Sequence, residues 1–435
     1  MQKSGECFIV YEKANDLKKV HKENEMMKTN RIVKTTAIAL LACMAASFAG
    51  CSASSQAQNS APAASAQSAA GAAEQKADTD YANMSIDELK EAAKKESGKI
   101  VVSAWWGEDF WQKFAQSFEK KYGIKVEISF GDSQPVLDKV IMEKDADAST
   151  IDAMLLGGAN AKIAMDANVM YPNILNAIEG KEELDPGLCK MQEGVIHKGT
   201  FVPIYLNQTG ILYNPQKVSE SELPQTWEDL EKYIDSHPGK FAFNNPTKGG
   251  SGQAFVHTAI NILAGGVDQY TGDTEVVEDK IKDWQKVWDW INARKDKLTI
   301  TNSNSESIAK VNSGECDMAA AWDDDSVNAM KKGELMKDAK LYIPKFKMAG
   351  GGDTMGVVKN SANKASAILF VNELASKEGQ IQMNKVLCSL PARSGISVDT
   401  TLLSQEDMKE NRISWFPSVY KKRMNEDFVE KVLMQ

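Results

Sequence analysis

Four short segments carry groups suited to meeting a small molecule. Trp105-Trp106 follows the apolar run Ile100-Val101-Val102, and an indole face packs an apolar or cationic group. Leu156-Gly157-Gly158-Ala159-Asn160 also follows an apolar run and opens a helical pattern. Glycine there lets a ligand approach the backbone, free amides at a helix start suit an anion, and Asn160 can donate or accept. Lys248-Gly249-Gly250-Ser251-Gly252-Gln253 has the same form. The Ser251 hydroxyl and the amides of Gly252 and Gln253 can hold a carboxylate or phosphate. It is no Walker loop, because Gly-Lys-Ser/Thr is missing at the required spacing. Trp322-Asp323-Asp324-Asp325 offers an indole and three carboxylates to a cation or ammonium.

Each segment has a plainer use. Either tryptophan can pack beneath the next helix, and each glycine segment can be an ordinary strand-to-helix turn. Acids favour the first turn of a helix, and Asp325 suits an N-cap before Ser326. That leaves Trp322 and Asp323 as the ligand candidates of the acidic run. A mixture of aromatic faces, amide donors and one carboxylate fits a small zwitterion. Trp284, Trp288 and Ile291 repeat at helical spacing and read as core.

Catalytic groups are sparse. The four histidines are His21, His197, His237 and His257. No Gly-x-Ser-x-Gly or His-Glu-x-x-His run occurs, and the aspartates lack partner histidines. The expectation is a binding protein rather than an enzyme, with no cofactor and no bound metal. The chain has 51 basic and 60 acidic residues, a net charge of −9, which argues against nucleic acid or an anionic lipid surface as partner. Three of six cysteines, Cys7, Cys43 and Cys51, lie near the N-terminus. Cys189, Cys316 and Cys388 are far apart, without metal-ligand spacing, so free buried thiols are expected, with at most one bridge.

The segments must be positioned by regular elements. Ser85-Ile86-Asp87-Glu88 has the form of a capping box. Phe110, Trp111, Phe114, Phe118 and Tyr122 share a helical face, Val126 to Phe130 alternates as a strand does, and Ala153 to Leu156 is a short apolar run. Strand–helix–strand–helix–strand predicts a mostly parallel sheet flanked by helices. The pattern resumes with strands at 209–213, 240–243, 318–321, 341–343 and 355–358, and a helix over 362–375. Roughly 350 residues of this kind exceed what one core serves, so two lobes are expected.

The N-terminal region reads differently. Lys28, Arg31 and Lys34 precede the apolar run 35–48, and Ala49-Gly50-Cys51 follows. A basic segment, a short apolar core and small residues make a secretory signal, and the run is shorter than a spanning helix needs. Residues 1–25 are polar, and Met26 or Met27 is a more natural start than Met1. Ser52 to Asp80, rich in Ala, Ser and Gln, has too little apolar surface to fold and is expected to be a tether.

Phe48-Ala49-Gly50-Cys51 resembles a bacterial lipobox, apart from Phe48 where Leu is usual. It implies lipidation of Cys51 and anchoring outside the cytoplasm to the bacterial cell membrane. Ala104-Trp105-Trp106-Gly107, Lys121 to Val126, Val202-Pro203-Ile204-Tyr205, Thr209 to Asn214, Pro224-Gln225-Thr226-Trp227-Glu228-Asp229-Leu230, Asn245 to Phe255, and Asn363 to Gln380 together resemble the family 1 extracellular solute-binding proteins. The likeness is to the group with polyamine-, thiamine- and iron-binding members, and it spans roughly residues 98 to 395.

The resemblance implies an α/β, two-lobed periplasmic-binding-protein-like clamshell of type II topology with crossover hinge strands. It implies a monomer that binds a small molecule between its lobes and delivers it to an ABC permease. A lipid-anchored enzyme or a ligand sensor on the same fold is the alternative. The expected organisation is 1–50 signal, 51–80 tether, 81–205 plus 322–375 first lobe, and 206–321 plus 376–435 second lobe. The resemblance adds Tyr205, at the first crossover, and Asp353, after a glycine run, to the candidate ligand residues Trp105, Trp106, Gly158, Asn160, Ser251, Gly252, Trp322 and Asp323. Ser-Gly-Gln at 251–253 stands where polyamine-binding relatives tend to carry acids, which argues against a polyamine. The adjacent tyrosine pair of iron-binding relatives is missing, which disfavours ferric iron.

Overall fold

A computed structural model describes residues 79–398 and 401–435. The signal-like segment, Cys51 and all but the last two residues of the expected tether lie outside the described residues. Among the described residues no helix is long and apolar enough to cross a membrane.

In chain order the strands of the two large sheets are β1 (Lys99–Ala104), β2 (Lys125–Phe130), β3 (Ala153–Leu156), β4 (Val202–Pro203), β5 (Asn207–Tyr213), β6 (Phe241–Asn244), β7 (Leu298–Thr301), β8 (Met318–Trp322), β9 (Lys340–Tyr342), β10 (Met348–Gly351), β11 (Thr354–Val357) and β12 (Arg412–Ile413), and Met191–Gln192 pairs with Val195–Ile196 in a separate small hairpin. The helices that matter below are α1 (Glu108–Tyr122), α2 (Gly158–Asp166), α3 (Gly250–Leu263), α4 (Asn304–Asn312), α5 (Asp323–Lys332), α6 (Lys364–Ala375), α7 (Lys377–Leu387) and α8 (Ser418–Phe428).

Two sheets organise the chain. One runs β2-β1-β3-β11-β4, and the other runs β12-β10-β5-β8-β6-β7 with β9 paired to β5. β1 pairs in parallel with β2 and β3, while β11 runs antiparallel to β3 and β4. β3 is buried along its whole length, as an interior strand covered on both faces must be. The expected helical face of α1 is real: Phe110, Trp111, Phe114 and Phe118 are buried. Phe114 and Phe118 meet Phe370 of α6 edge-on, at centroid distances of 5.3 and 5.1 Å. Gly123, left-handed at φ 70°, ends α1, a conformation that glycine adopts without a Cβ penalty. The capping box is formed in both directions, Glu88 N–H to Ser85 Oγ and Ser85 N–H to Glu88 Oε2.

Each sheet has its own core. Ile100, Val102, Leu155, Val357 and Leu369 belong to the first, and Ile211, Phe243, Phe255, Trp288 and Phe428 to the second. Trp284, Trp288 and Ile291 sit in the second core as read. The chain passes between sheets at 204–206 and 352–353, and Leu206 bridges Leu390 of a third passage. Where the first two passages meet, a Cβ on Gly352 would collide with the carbonyl oxygen of Tyr205. Glycine is what lets the two hinge segments touch.

The expected lobe boundaries need correcting in two places. The first lobe was to regain the chain at 322, yet β8, β9 and β10 all lie in the second sheet. β8 is an interior strand between β5 and β6, so the chain crosses back only at Gly352-Asp353. Residues from 376 were assigned to the second lobe, but α7 buries Met383 and Leu387 in the first core. Cys189, Cys316 and Cys388 are free thiols.

Candidate functional site

The strand ends converge where the hinge passes between the sheets. A cavity of about 390 Å³ lies there. The first sheet and hinge contribute Trp105, Trp106, Tyr205 and Asp353, and the second lobe contributes Trp322, Asp324, Asp325 and Asn304, with Asn207 at the start of β5. Trp105 and Trp106 follow β1, Trp322 ends β8, and Asn304 follows β7. This is the ligand position for open α/β sheets, beyond the carboxyl ends of strands.

The first-lobe wall is wired. Trp106 Nε1 donates to the Tyr205 hydroxyl at 2.8 Å, with the rings edge-on at 5.1 Å. Tyr205 in turn donates to Asp353 Oδ2. Burial pushes the Asp353 carboxyl up to about 7 against that donated proton, and the nearby Glu193 adds to the rise. Burial and Asp353 hold the Tyr205 phenol far above its ordinary range. Tyr205 is a neutral donor at any physiological pH.

The second-lobe wall is crowded with charge. Asp323, Asp324 and Asp325 all lie in the first turn of α5, and Trp322 is its N-cap. Asp324 is raised by burial and then by Asp325 and Asp323. Burial raises Asp325 too, opposed by the Asn304 amide and by Lys332. None of the cavity-lining residues carries a positive charge.

Several expected ligand residues serve other ends. Asp323 points away from the cleft and is 1% exposed. Its Oδ1 accepts the backbone N–H groups of Leu402 and Leu403 at 2.8 and 3.0 Å, tying the C-terminal segment to α5. The choice of Asp323 over Asp324 and Asp325 is therefore reversed. Of the three successive aspartates at this helix start, Asp323 is the one that faces inward. Asn160 donates to Ser133 Oγ and joins two helices. Ser251 is fully buried beneath the cleft. Gly252 packs α3 onto β6, since a Cβ there would collide with the carbonyl of Asn244. A Cβ on Gly158 would collide with the Glu193 side chain, so the start of α2 is covered by the protein's own carboxylate. The Ser251 N–H at the start of α3 goes to Asn304 Oδ1 at 3.2 Å. Both helix starts expected to take an anionic ligand group are thus occupied from within.

Asn207, Asn304, Asp324 and Asp325 are the lining residues that the sequence reading passed over. Asn304 had a usable signal, since it comes just after the alternating strand Leu298–Thr301, as Trp105 comes just after β1. Asp324 and Asp325 are explained in sequence by helix electrostatics, and Asp325 by an N-cap role; the helix starts at Asp323, and Trp322 is its N-cap. Both aspartates fill the first-turn position and face the cleft together.

The sequence profile described as "Bacterial extracellular solute-binding protein" matches residues 113–409. An Fe(3+)-binding periplasmic protein from Serratia marcescens is 24% identical over 294 residues, 67% of this chain and 77% of its own. An extracellular solute-binding protein structure from Bordetella parapertussis covers 77% of this chain and 98% of its own, with a TM-score of 0.63 and 16% identity. A spermidine/putrescine ABC transporter substrate-binding protein from Streptococcus pneumoniae covers the same shares at a TM-score of 0.59 and 17% identity. At such identities the solved structures establish the two-lobed fold, and the relatives so named are binding proteins.

Proposed function

Because the chain belongs to the bacterial extracellular solute-binding protein family, we propose that it captures an organic cation, an alkyl amine or diamine, in its interlobe cleft. The observation that carries the reading is the lining: three tryptophans, one buried tyrosine and three aspartates, without a lysine or arginine. Indole faces and carboxylates both attract ammonium, and together they disfavour an anion. The zwitterion expected from the sequence loses its support, because the helix starts meant for its anionic end are covered by Glu193 and Asn304. Among the described residues no group of three or more His, Cys, Asp or Glu side chains is placed to hold a metal ion. Asp353 lies on one wall and Asp324 and Asp325 on the other, an arrangement that suits an extended organic cation. One of the structural relatives is named for spermidine and putrescine; the sequence expectation against a polyamine rested on the lack of acids at 251–253, and here Asp324, Asp325 and Asp353 supply them from elsewhere.

Lipidation at Cys51 and the tether to residue 80 would hold the receptor outside the cell membrane, and hinge closure would present it to an ABC permease. The test is a titration of tryptophan fluorescence and melting temperature with 1,4-diaminobutane, spermidine, choline, ferric citrate, phosphate and succinate. Saturable binding of an amine, with turnover absent, is expected. A response to the anions or to ferric citrate alone would overturn the reading. Cys51→Ser should release the protein from membranes, and unchanged retention would refute the anchor.

A further inference from the structure

The Ser251 segment is a support for the cleft wall. Ser251 is fully buried between Asn244, at the end of β6, and Asn304, at the start of α4. What each asparagine amide faces fixes its orientation. Ser251 presents two donors to Asn304, the backbone N–H at 3.2 Å and the hydroxyl at 2.9 Å. The atom facing them must be an acceptor, Oδ1. Nδ2 is then the atom that meets Asp325 Oδ2 at 3.0 Å. Asn244 is fixed in the same way: its Nδ2 donates to the carbonyl of Asn245 at 3.0 Å, so its Oδ1 faces the Ser251 hydroxyl at 2.6 Å. That hydroxyl has one proton for two acceptors, but the Ser251 backbone N–H serves Asn304 in either case. The pocket for the two amides is closed, since a Cβ on Gly249 would collide with Asn304 Oδ1 and lie 2.6 Å from Asn244 Nδ2. Gly249 of the Lys248–Gln253 run thus makes room for a polar chain ending on a cleft carboxylate.

Resting on the reading of the cleft as an organic-cation site, we propose that Asn304 is a specificity-determining positioning residue. Held by Ser251, it takes one oxygen of Asp325 in a hydrogen bond and leaves the other to the ligand's ammonium. The arrangement works because Asp325 otherwise has every reason to turn or to protonate. Asp323 and Asp324 precede it on the same turn, and Asp353 and Tyr205 line the cleft with it. Lys332, one helix length away, is the cation that acts on it. A donated N–H favours the ionised carboxylate. Without Asn304, Asp325 would hold its proton to higher pH and present a neutral group to a cation.

The experiment uses the full chain and the probes 1,4-diaminobutane and spermidine. Asn304→Leu and Asp325→Asn should each weaken binding about tenfold, the usual scale for losing one polar contact. The double variant should be little worse than either, because Asn304 acts through Asp325. The pH at which binding is half lost should move upward in Asn304→Leu. Multiplying losses in the double variant, or an unchanged pH midpoint, would overturn the proposal. Should Asn304→Leu fail to fold, Asn304→Ser carries the same test. A ligand-free arm separates this proposal from the cation reading: NMR titration of the Asp325 carboxyl should show its midpoint rise when Asn304 is replaced. If no amine binds the wild-type chain, the cation reading falls. The titration still decides whether Asn304 governs Asp325, and an unmoved midpoint refutes that role.

Discussion

On the first-lobe wall the Asp353 carboxylate receives a proton donor from Tyr205, which itself accepts one from Trp106. On the second-lobe wall Asn304 donates to Asp325, while Asp324 faces like-charged neighbours on its own helix turn. The first wall's carboxyl has a donor before ligand arrives, whereas burial and then like charges act against an ionised Asp324 until a cation enters. The first costs little reorganisation and sets geometry. The second gains more from the ligand, because binding relieves a penalty already present in the empty protein.

The largest effects should therefore come from the second wall. Asp324→Asn is expected to weaken amine binding about 100-fold, since a partly desolvated ammonium would lose its counter-charge. The same change should raise the melting temperature of the empty protein, because it removes repulsion. Isothermal titration and calorimetric melting read the two. A loss of both affinity and stability would mean that Asp324 is a structural carboxylate and the comparison fails.

Tyr205→Phe tests the other wall. It leaves Asp353 and Trp106 Nε1 without their partner, at a stability cost of about 1–3 kcal/mol. Affinity should fall less than with Asp324→Asn, roughly tenfold by the same scale. The expected signature is inverted relative to Asp324: a lower melting temperature with a modest binding defect. Equal behaviour of the two variants in both measurements would erase the distinction between the walls.

How much of this was readable in the sequence follows from what each residue type depends on. The strands and helices were legible because burial imposes its period directly. The run Ala153–Leu156 and the α1 face Phe110–Phe118 came out as read. Trp105, Trp106, Tyr205, Trp322 and Asp353 reach one cavity, since strand ends converge whatever the loop details. The failures share another cause. Whether Asp323 or Asp324 faces the cleft depends on about 100° of helix rotation. That rotation is set by where residues 402 and 403 pass, 79 and 80 positions away. Likewise no local pattern announces that Glu193 covers Gly158 or that Asn304 takes the Ser251 amide. The lobe boundary at 322 failed because an interior strand and a crossing strand have the same apolar sequence.

The walls are also joined outside the cleft. Lys421 of α8, in the second lobe, pairs with Glu193 at 2.7 Å and lies over Trp415 at 4.7 Å. Glu193 sits at the tip of the hairpin formed by Met191–Gln192 and Val195–Ile196, whose Gln192 side chain donates to the Leu156 carbonyl at 2.7 Å. Lys421→Met should cost less than about 1 kcal/mol of stability, as partly exposed pairs do. It should slightly weaken ligand binding by favouring lobe opening. Small-angle scattering of the empty protein would show the opening as an increase in radius of gyration. A variant as compact as wild type would show that the pair does not hold the lobes together.

The smallest expected effect is the most specific to the comparison, and it concerns pH in the empty protein. The ordinary carboxyl value of 3.8 becomes about 7 for Asp353. Asp324 and Asp325 are raised as well. The folded state therefore holds protons that the unfolded chain has already released. Stability from Asp353 is fully present below about pH 4 and is lost as pH rises through about 7, and Asp324 and Asp325 act in the same direction. His197 and His257 work in the opposite sense. Burial lowers them to about 4 and about 3, so their stability is present above 6.5 and lost as pH falls through those values. The two trends oppose each other across the acid range, and the wild-type profile alone will not separate them. The difference between wild type and Asp324→Asn does, because the histidines are common to both. That difference should be small at pH 5 and widen toward pH 8, with the variant increasingly the more stable. Saturating amine should flatten it, since the ligand's positive charge lowers the carboxylates and removes the penalty. A difference independent of pH from 5 to 8 would mean that the second wall is not under electrostatic strain, and the contrast with Asp353 would reduce to geometry.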